Sequence, residues 1–260
     1  MKHSIWKYIN IINLLYFISI YIIIIYFVLY SIECEESVDY SSQYRTLQYD
    51  GFCVFDEPRF AEIAMDPPEF FKKNVLCLLP TNYHFIDYIY NIHNVALSTF
   101  HRDVTSSKTL YNTKYPVYTL ILYKYDGCLL SLCPRSNMSY LFASSNIYNI
   151  HGKSGTCFLF DSDLLHAGCI NECKKREVIQ YKIIHDDDAH LLAHLSGIKM
   201  EKDEICNNSF YNRCLRKFSY FFQMPINTIF YPLMIKKEEG GIIGKIQEYI
   251  PLQFYNNTSE

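Results

Sequence analysis

Two histidines, one aspartate and one arginine carry the chemistry open to this chain. His101 and Asp103 are separated by one residue, His166 stands far downstream in Asp163-Leu-Leu-His166-Ala-Gly168, and Arg176 follows ten residues later. Two imidazoles and one carboxylate make the facial triad that holds non-haem Fe(II) and leaves positions open for exogenous ligands. In a strand, residues i and i+2 share a face, roughly 6.6–7 Å apart. His101 and Asp103 can therefore turn toward one ion. The third ligand must come from a distant segment, and His166 fits that role. Arg176 offers a planar fork of donors for a carboxylate.

Elements that could bring these residues together are mostly strands. Residues 47–56 read as a first strand. Pro67-Pro68 breaks the chain, and the aromatic and apolar spacing over Glu69–His93 predicts one or two helices around Pro80. Pro116–Tyr125 is β-branched and aromatic, and Asp126-Gly127 after it is a hairpin turn signal. Leu129–Cys133, Ile147–Ile150, Thr156–Phe160 and Glu177–Ile184 read as further strands. Short strands at this spacing indicate a barrel or sandwich. The fold class is mainly β (α+β): a double-stranded β-helix, or jelly roll, with flanking helices, an arrangement that gathers distant strand ends at one mouth. The face carrying Tyr118, Leu120 and Leu122 is the expected pocket lining, without a named second co-substrate contact. Ala189–Phe222 reads as helical or irregular, and the tail as solvated.

The chain of 260 residues fits one domain with a small appendage, and half of it is hydrophobic. A net charge of −3 without a basic patch gives no reason to expect nucleic acid as a partner. No charge interrupts Tyr8–Ile32, a run of 25 residues. About 20 apolar residues cross a bilayer, so 9–32 is expected to be a transmembrane signal anchor. Lys2 and Lys7 precede it; Glu33, Glu35, Glu36 and Asp39 follow. That asymmetry puts residues 1–8 in the cytosol and the rest on the lumenal or exterior side. The expected order is anchor, linker 33–46, jelly-roll domain 47–190 and a C-terminal extension 191–260 of unknown role. Ten cysteines, for example Cys128/Cys133 and Cys169/Cys173, would suit disulfides in an oxidising lumen, or equally be buried thiols.

Other histidines compete for a metal. His185, His190 and His194 could form a zinc site, the last two at helical i,i+4 spacing, but no glutamate lies between them and no third ligand is evident. His-Arg-Asp also occurs in the kinase catalytic loop. That loop needs an asparagine five residues after the aspartate, where this chain has Lys108, and neither a Gly-rich loop nor Asp-Phe-Gly is present. Asp163 reads as a turn residue, and Arg102, between the ligands, as facing away from them toward substrate or solvent.

Three stretches together resemble one family: Thr99-Phe-His101-Arg-Asp103-Val-Thr, then Gly155-Thr-Cys-Phe-Leu-Phe-Asp-Ser-Asp-Leu-Leu-His166-Ala-Gly, then Arg176-Glu-Val-Ile-Gln-Tyr-Lys-Ile. They resemble the Fe(II)/2-oxoglutarate-dependent dioxygenases, in the manner of the phytanoyl-CoA hydroxylase and prolyl-hydroxylase-like branches. Tyr44-Arg-Thr-Leu-Gln-Tyr-Asp-Gly51-Phe-Cys-Val-Phe is similar to the strand that often opens such domains, so the likeness spans residues 44–190. It implies Fe(II) on His101, Asp103 and His166, and 2-oxoglutarate with its distal carboxylate on Arg176. It also implies O2 as oxidant, ascorbate as an optional reductant, and hydroxylation of an unknown organic or protein substrate with release of succinate and CO2. The alternatives are a cupin-like metal enzyme that does not use 2-oxoglutarate and a non-catalytic membrane or virion protein that kept the fold.

Overall fold

The computed structural model describes residues 15–22, 35–39, 46–94, 99–139, 146–169, 176–203 and 210–226. The chain divides into two compact units, Met1–Glu35 and Glu36–Glu260. In the first, residues 15–22 are helical, with Leu15, Tyr16, Phe17, Tyr21 and Ile22 exposed. The rest of the expected anchor 9–32 lies outside the described residues. Among those described, no helix is long and apolar enough to cross a membrane.

The second unit is mainly β, two sheets in a jelly-roll-like arrangement with helices on the flanks. The smaller sheet runs β1 (Glu35–Asp39), β6 (Ile147–Gly152), β5 (Gly127–Leu132), β8 (His166–Gly168). The larger runs β10 (Ile198–Asp203), β3 (Tyr83–His93), β9 (Glu177–His185), β4 (Tyr118–Tyr123), β7 (Thr156–Asp161), β2 (Phe52–Asp56). Strands far apart in sequence are neighbours throughout, which is how a distant histidine can reach His101.

Four local expectations are corrected. Residues 47–50 form a single helical turn, α1 (Leu47–Asp50), and the strand begins only after Gly51, whose φ of +83° closes the turn. A Cβ at Gly51 would stand 2.6 Å from Asn137 Oδ1, so this crossing admits glycine alone. Residues 83–93 are strand rather than helix, because Tyr83–His93 has β9 and β10 to pair with on its two edges. Asp126-Gly127 makes no hairpin: β4 and β5 lie in different sheets, and Gly127 (φ +132°) turns the corner between them. Residues 198–203, within a stretch expected to be helical or irregular, form β10 parallel to β3.

Strand parity divides the apolar residues into two layers. Val54, Ile121, Tyr123, Phe158, Phe160 and Val178 point inward and pack with Leu129, Leu130, Leu132 and Ile150 of the smaller sheet. Leu120, Leu122, Leu159, Ile179, Tyr181 and Ile183 point outward, under α2 (Glu69–Leu76) through Phe71 and Val75. Each fully buried side chain of this size contributes about 1.5–3 kcal/mol.

Cysteines 128, 133 and 169 are thiols. Cys128 lies near the start of β5 and Cys133 just past its end, about 16 Å apart along an extended chain and well beyond disulfide reach. Cys173 lies outside the described residues.

Candidate metal centre

The site begins with a two-residue antiparallel bridge between His101 and His166. The His101 N–H donates to His166 O at 2.9 Å, and the His166 N–H to His101 O at 3.0 Å. The chain then leaves strand geometry at once. The Asp103 N–H donates to Ser162 O at 2.8 Å, and Val104–Ser106 coil into a 3-10 turn. A bend at Asp103 (φ −77°, ψ 70°), not the pleat of a strand, brings its carboxylate round to the imidazoles.

Asp103 Oδ1 lies 3.9 Å from His101 Nε2 and 3.7 Å from His166 Nε2. One ligand atom from each of the three residues falls within 4.8 Å of the others. Donor atoms about 2.1 Å from a shared ion at right angles stand about 3 Å apart, so side-chain shifts of about 1–2 Å would close the set.

The hydrogen bonds around the ligands fix which atoms face inward. His101 Nδ1 is 2.9 Å from Thr99 O, and His166 Nδ1 is 2.9 Å from Leu164 O. A carbonyl can only accept, so each Nδ1 carries the proton and each Nε2 presents a lone pair. Burial pushes the His166 imidazole down to about 3, with His101 adding to the shift and Asp103 opposing it. Burial lowers His101 as well, again against the pull of Asp103. Both rings are therefore neutral near neutral pH and lose no proton on binding a cation. Burial works against ionisation of Asp103, but the Lys182, His166 and His101 charges outweigh it and hold the carboxyl well below the usual carboxylate range.

Neighbouring elements brace this geometry. Arg102 is 1 % exposed and donates to Ser136 O at 2.7 Å and to Asp163 O, pinning the turn that leads into His166. The expectation that it faces substrate or solvent is corrected: it is buried structural wiring. Asp163 is a turn residue, accepting from the Thr109 N–H at 3.3 Å. From α3 (Phe210–Phe221), Arg216 donates to Gly168 O at 3.0 Å and covers the Phe100 ring at 4.5 Å. Ser219 Oγ on the same helix accepts from the Phe100 N–H at 2.7 Å. The described part of the C-terminal extension thus props both the His101 and the His166 segments.

Arg176 is 5 % exposed, beside the rings of Tyr123 (5.9 Å) and Tyr125 (5.6 Å), and donates to Cys169 O at 3.3 Å. Tyr123 and Tyr125 belong to the core between the sheets, so the guanidinium reaches the interior. Its Nε has no hydrogen-bond partner, and among the described residues no carboxylate pairs with it.

One expectation fails here. Tyr118, Leu120 and Leu122 face the outer helical layer; the opposite face of β4 carries Thr119 to the Asp103 carboxylate. The histidines at 185, 190 and 194 do not gather. Residues 186–195 are 3-10, with three residues per turn, so i and i+4 leave a common face. His185 stacks on Tyr115 at 3.7 Å, and His194 Nε2 donates to Thr105 O at 2.9 Å. Sequence reading also missed Lys182, Thr119 and Gln180, all bonded to Asp103 Oδ2. The signal for them was a lysine and a glutamine two residues apart in the otherwise apolar run Val178–Ile184.

No protein-family model and no curated protein matches the sequence. Among solved structures, the chain is similar to a nickel complex of the non-heme monooxygenase ThoJ (12 % identity, 54 % of this chain and 76 % of that one, TM-score 0.35). It is similar to EvdMO1 (12 %, 55 % and 49 %, TM-score 0.40). It is also similar to SnoN, a non-heme alpha ketoglutarate dependent epimerase from nogalamycin biosynthesis (10 %, 54 % and 80 %, TM-score 0.34). At TM-scores below one half, these likenesses leave the function to be argued from the site's own atoms.

Proposed function

We propose that the protein is a membrane-anchored Fe(II)- and 2-oxoglutarate-dependent dioxygenase that hydroxylates a C–H bond of an organic or protein substrate. The observation that carries this reading is the pairing of two features. Two histidine Nε2 lone pairs and one aspartate oxygen converge on a point, and a buried guanidinium with no carboxylate partner among the described residues reaches the same interior. A buried cation left unpaired is costly, and an anionic ligand would relieve that cost.

His101 Nε2, His166 Nε2 and Asp103 Oδ1 would hold the metal. Arg176 would hold the distal carboxylate of the keto acid. When bound, iron and 2-oxoglutarate supply the oxidative chemistry, with O2 consumed and succinate and CO2 released. The chain's own part is orientation and exclusion of water: the Phe160 ring sits 4.5 Å from the His166 ring and, with Tyr123 and Phe158, makes the surrounding wall apolar.

Anaerobic titration with Fe(II) should saturate at one ion per chain. Subsequent 2-oxoglutarate should bind only to the iron-loaded protein and, with O2 admitted over a substrate panel, yield succinate. Iron binding without any affinity for 2-oxoglutarate would favour the cupin-like alternative; no iron binding would favour a non-catalytic role.

The anchor is part of the same proposal and rests on the uncharged run from Tyr8 to Ile32 and its flanking charges. The catalytic unit in sealed microsomes is expected to resist added protease until detergent is present. Digestion without detergent would place it in the cytosol.

A further inference from the structure

We propose that Lys182 is a positioning residue for the metal centre: it makes Asp103 a one-oxygen ligand and offsets that ligand's charge. The inference rests on the metal-binding reading above and adds a role for a residue outside the triad.

Lys182 sits in the middle of β9 with no solvent exposure. Its Nζ lies 2.7 Å from Asp103 Oδ2, 2.7 Å from Thr119 Oγ1 and 2.8 Å from Ser106 Oγ. Three acceptors surround a nitrogen that as an ammonium has three hydrogens, so each is used. Both hydroxyls then donate onward: Thr119 to Asp103 Oδ2 at 2.5 Å, and Ser106 to Ser162 Oγ at 2.9 Å. Gln180 Nε2 adds a further donor to Oδ2 at 3.3 Å.

Lys182 and Thr119, the two close donors, fill the roughly two lone-pair directions a carboxylate oxygen offers, and Gln180 adds only a longer contact at 3.3 Å. Asp103 Oδ2 has none left for a metal. Oδ1 faces both histidines, so the carboxylate binds through that oxygen and does not chelate. A coordination position is thereby kept open that a two-oxygen carboxylate would occupy.

The charge has a second effect. A buried ammonium at 2.7 Å from the carboxylate is poorly screened and cancels part of the field that Asp103 presents to a cation. Iron is then held less tightly, and the ferric ion suffers more than the ferrous one. The fold itself gives little reason for a lysine here. Buried ion pairs seldom outperform apolar residues of similar volume.

The test is anaerobic titration of the full-length protein with Co(II), read by visible absorption, for wild type, Lys182→Met and Thr119→Val, each checked for folding by circular dichroism. Lys182→Met should bind Co(II) at least tenfold more tightly, with weaker d–d bands as Asp103 takes up the ion through both oxygens. Thr119→Val, which frees Oδ2 of one donor and keeps the cation, should weaken the bands with an affinity within threefold of wild type. Folded variants with the wild-type affinity and spectrum would overturn the proposal, as would loss of Co(II) binding in a folded Lys182→Met protein. If Lys182→Met does not fold, an unchanged Thr119→Val spectrum alone overturns it. A wild-type protein that binds no Co(II) would overturn the metal reading as well.

Discussion

Asp103→Ala should lower Fe(II) affinity about 100-fold or more and also destabilise the fold. Four-ligand zinc sites bind with roughly 10–16 kcal/mol, or about 3 kcal/mol per ligand, which sets the scale for losing one ligand of three. The loss of stability has a different origin. Asp103 is the carboxylate partner of the buried Lys182 ammonium, and stranding one member of a buried pair costs about 3–5 kcal/mol. The two effects separate in the double variant Asp103→Ala/Lys182→Met, which removes both charges. Its melting temperature should return most of the way to wild type while iron binding remains lost. Anaerobic Fe(II) titration and thermal unfolding of the three proteins check this. A double variant that regains iron binding would show that Asp103 is not a ligand.

The candidate ligands were legible because their chemistry is rare: two histidines and an aspartate, with an arginine at a fixed interval, are few enough to be picked out by type. The means by which they meet were not legible. A period-two reading predicts a strand through His101 and Asp103, yet the structure has one bridge residue and then a bend, set by the Asp103 N–H bond to Ser162 O. That bond depends on a loop 59 residues away, which no local window contains. The fold shows the same division. Strands with consistent apolar patterns, such as Thr156–Asp161 and Glu177–His185, stand where their composition puts them. Tyr83–His93 is strand because β9 and β10 pair with its two edges, and tertiary pairing overrides local preference there. The parity of β4 was undecidable from sequence because both of its faces are apolar in Tyr118–Tyr123. Only Thr119 hinted at the inner face, and its meaning depends on knowing that Lys182 and Asp103 stand opposite.

Arg176→Met should weaken 2-oxoglutarate binding roughly 30–150-fold without destabilising the metal-free protein, and that combination distinguishes a ligand-binding arginine from a structural one. Loss of a charge-assisted, two-pronged contact to a carboxylate costs about 2–3 kcal/mol, or roughly 30–150-fold in affinity. In the metal-free protein the balance runs the other way. The guanidinium is buried, its Nε is unsatisfied, and among the described residues its contacts are one carbonyl at 3.3 Å, the Tyr123 hydroxyl and two tyrosine rings. Those contacts amount to about 1–2 kcal/mol each at most. Desolvating the charge costs at least as much. Methionine matches the length of the side chain and packs well between aromatic rings. Wild-type protein loaded with Fe(II) should therefore melt at a higher temperature when 2-oxoglutarate is added, by mass action on the folded state. The variant should melt within a few degrees of wild type without ligand, bind iron normally and show a smaller shift with 2-oxoglutarate. A large fall in melting temperature, with iron and 2-oxoglutarate affinities falling together, would make Arg176 a structural residue. The case for 2-oxoglutarate would then fall, while the metal centre formed by His101, Asp103 and His166 would stand on its own geometry.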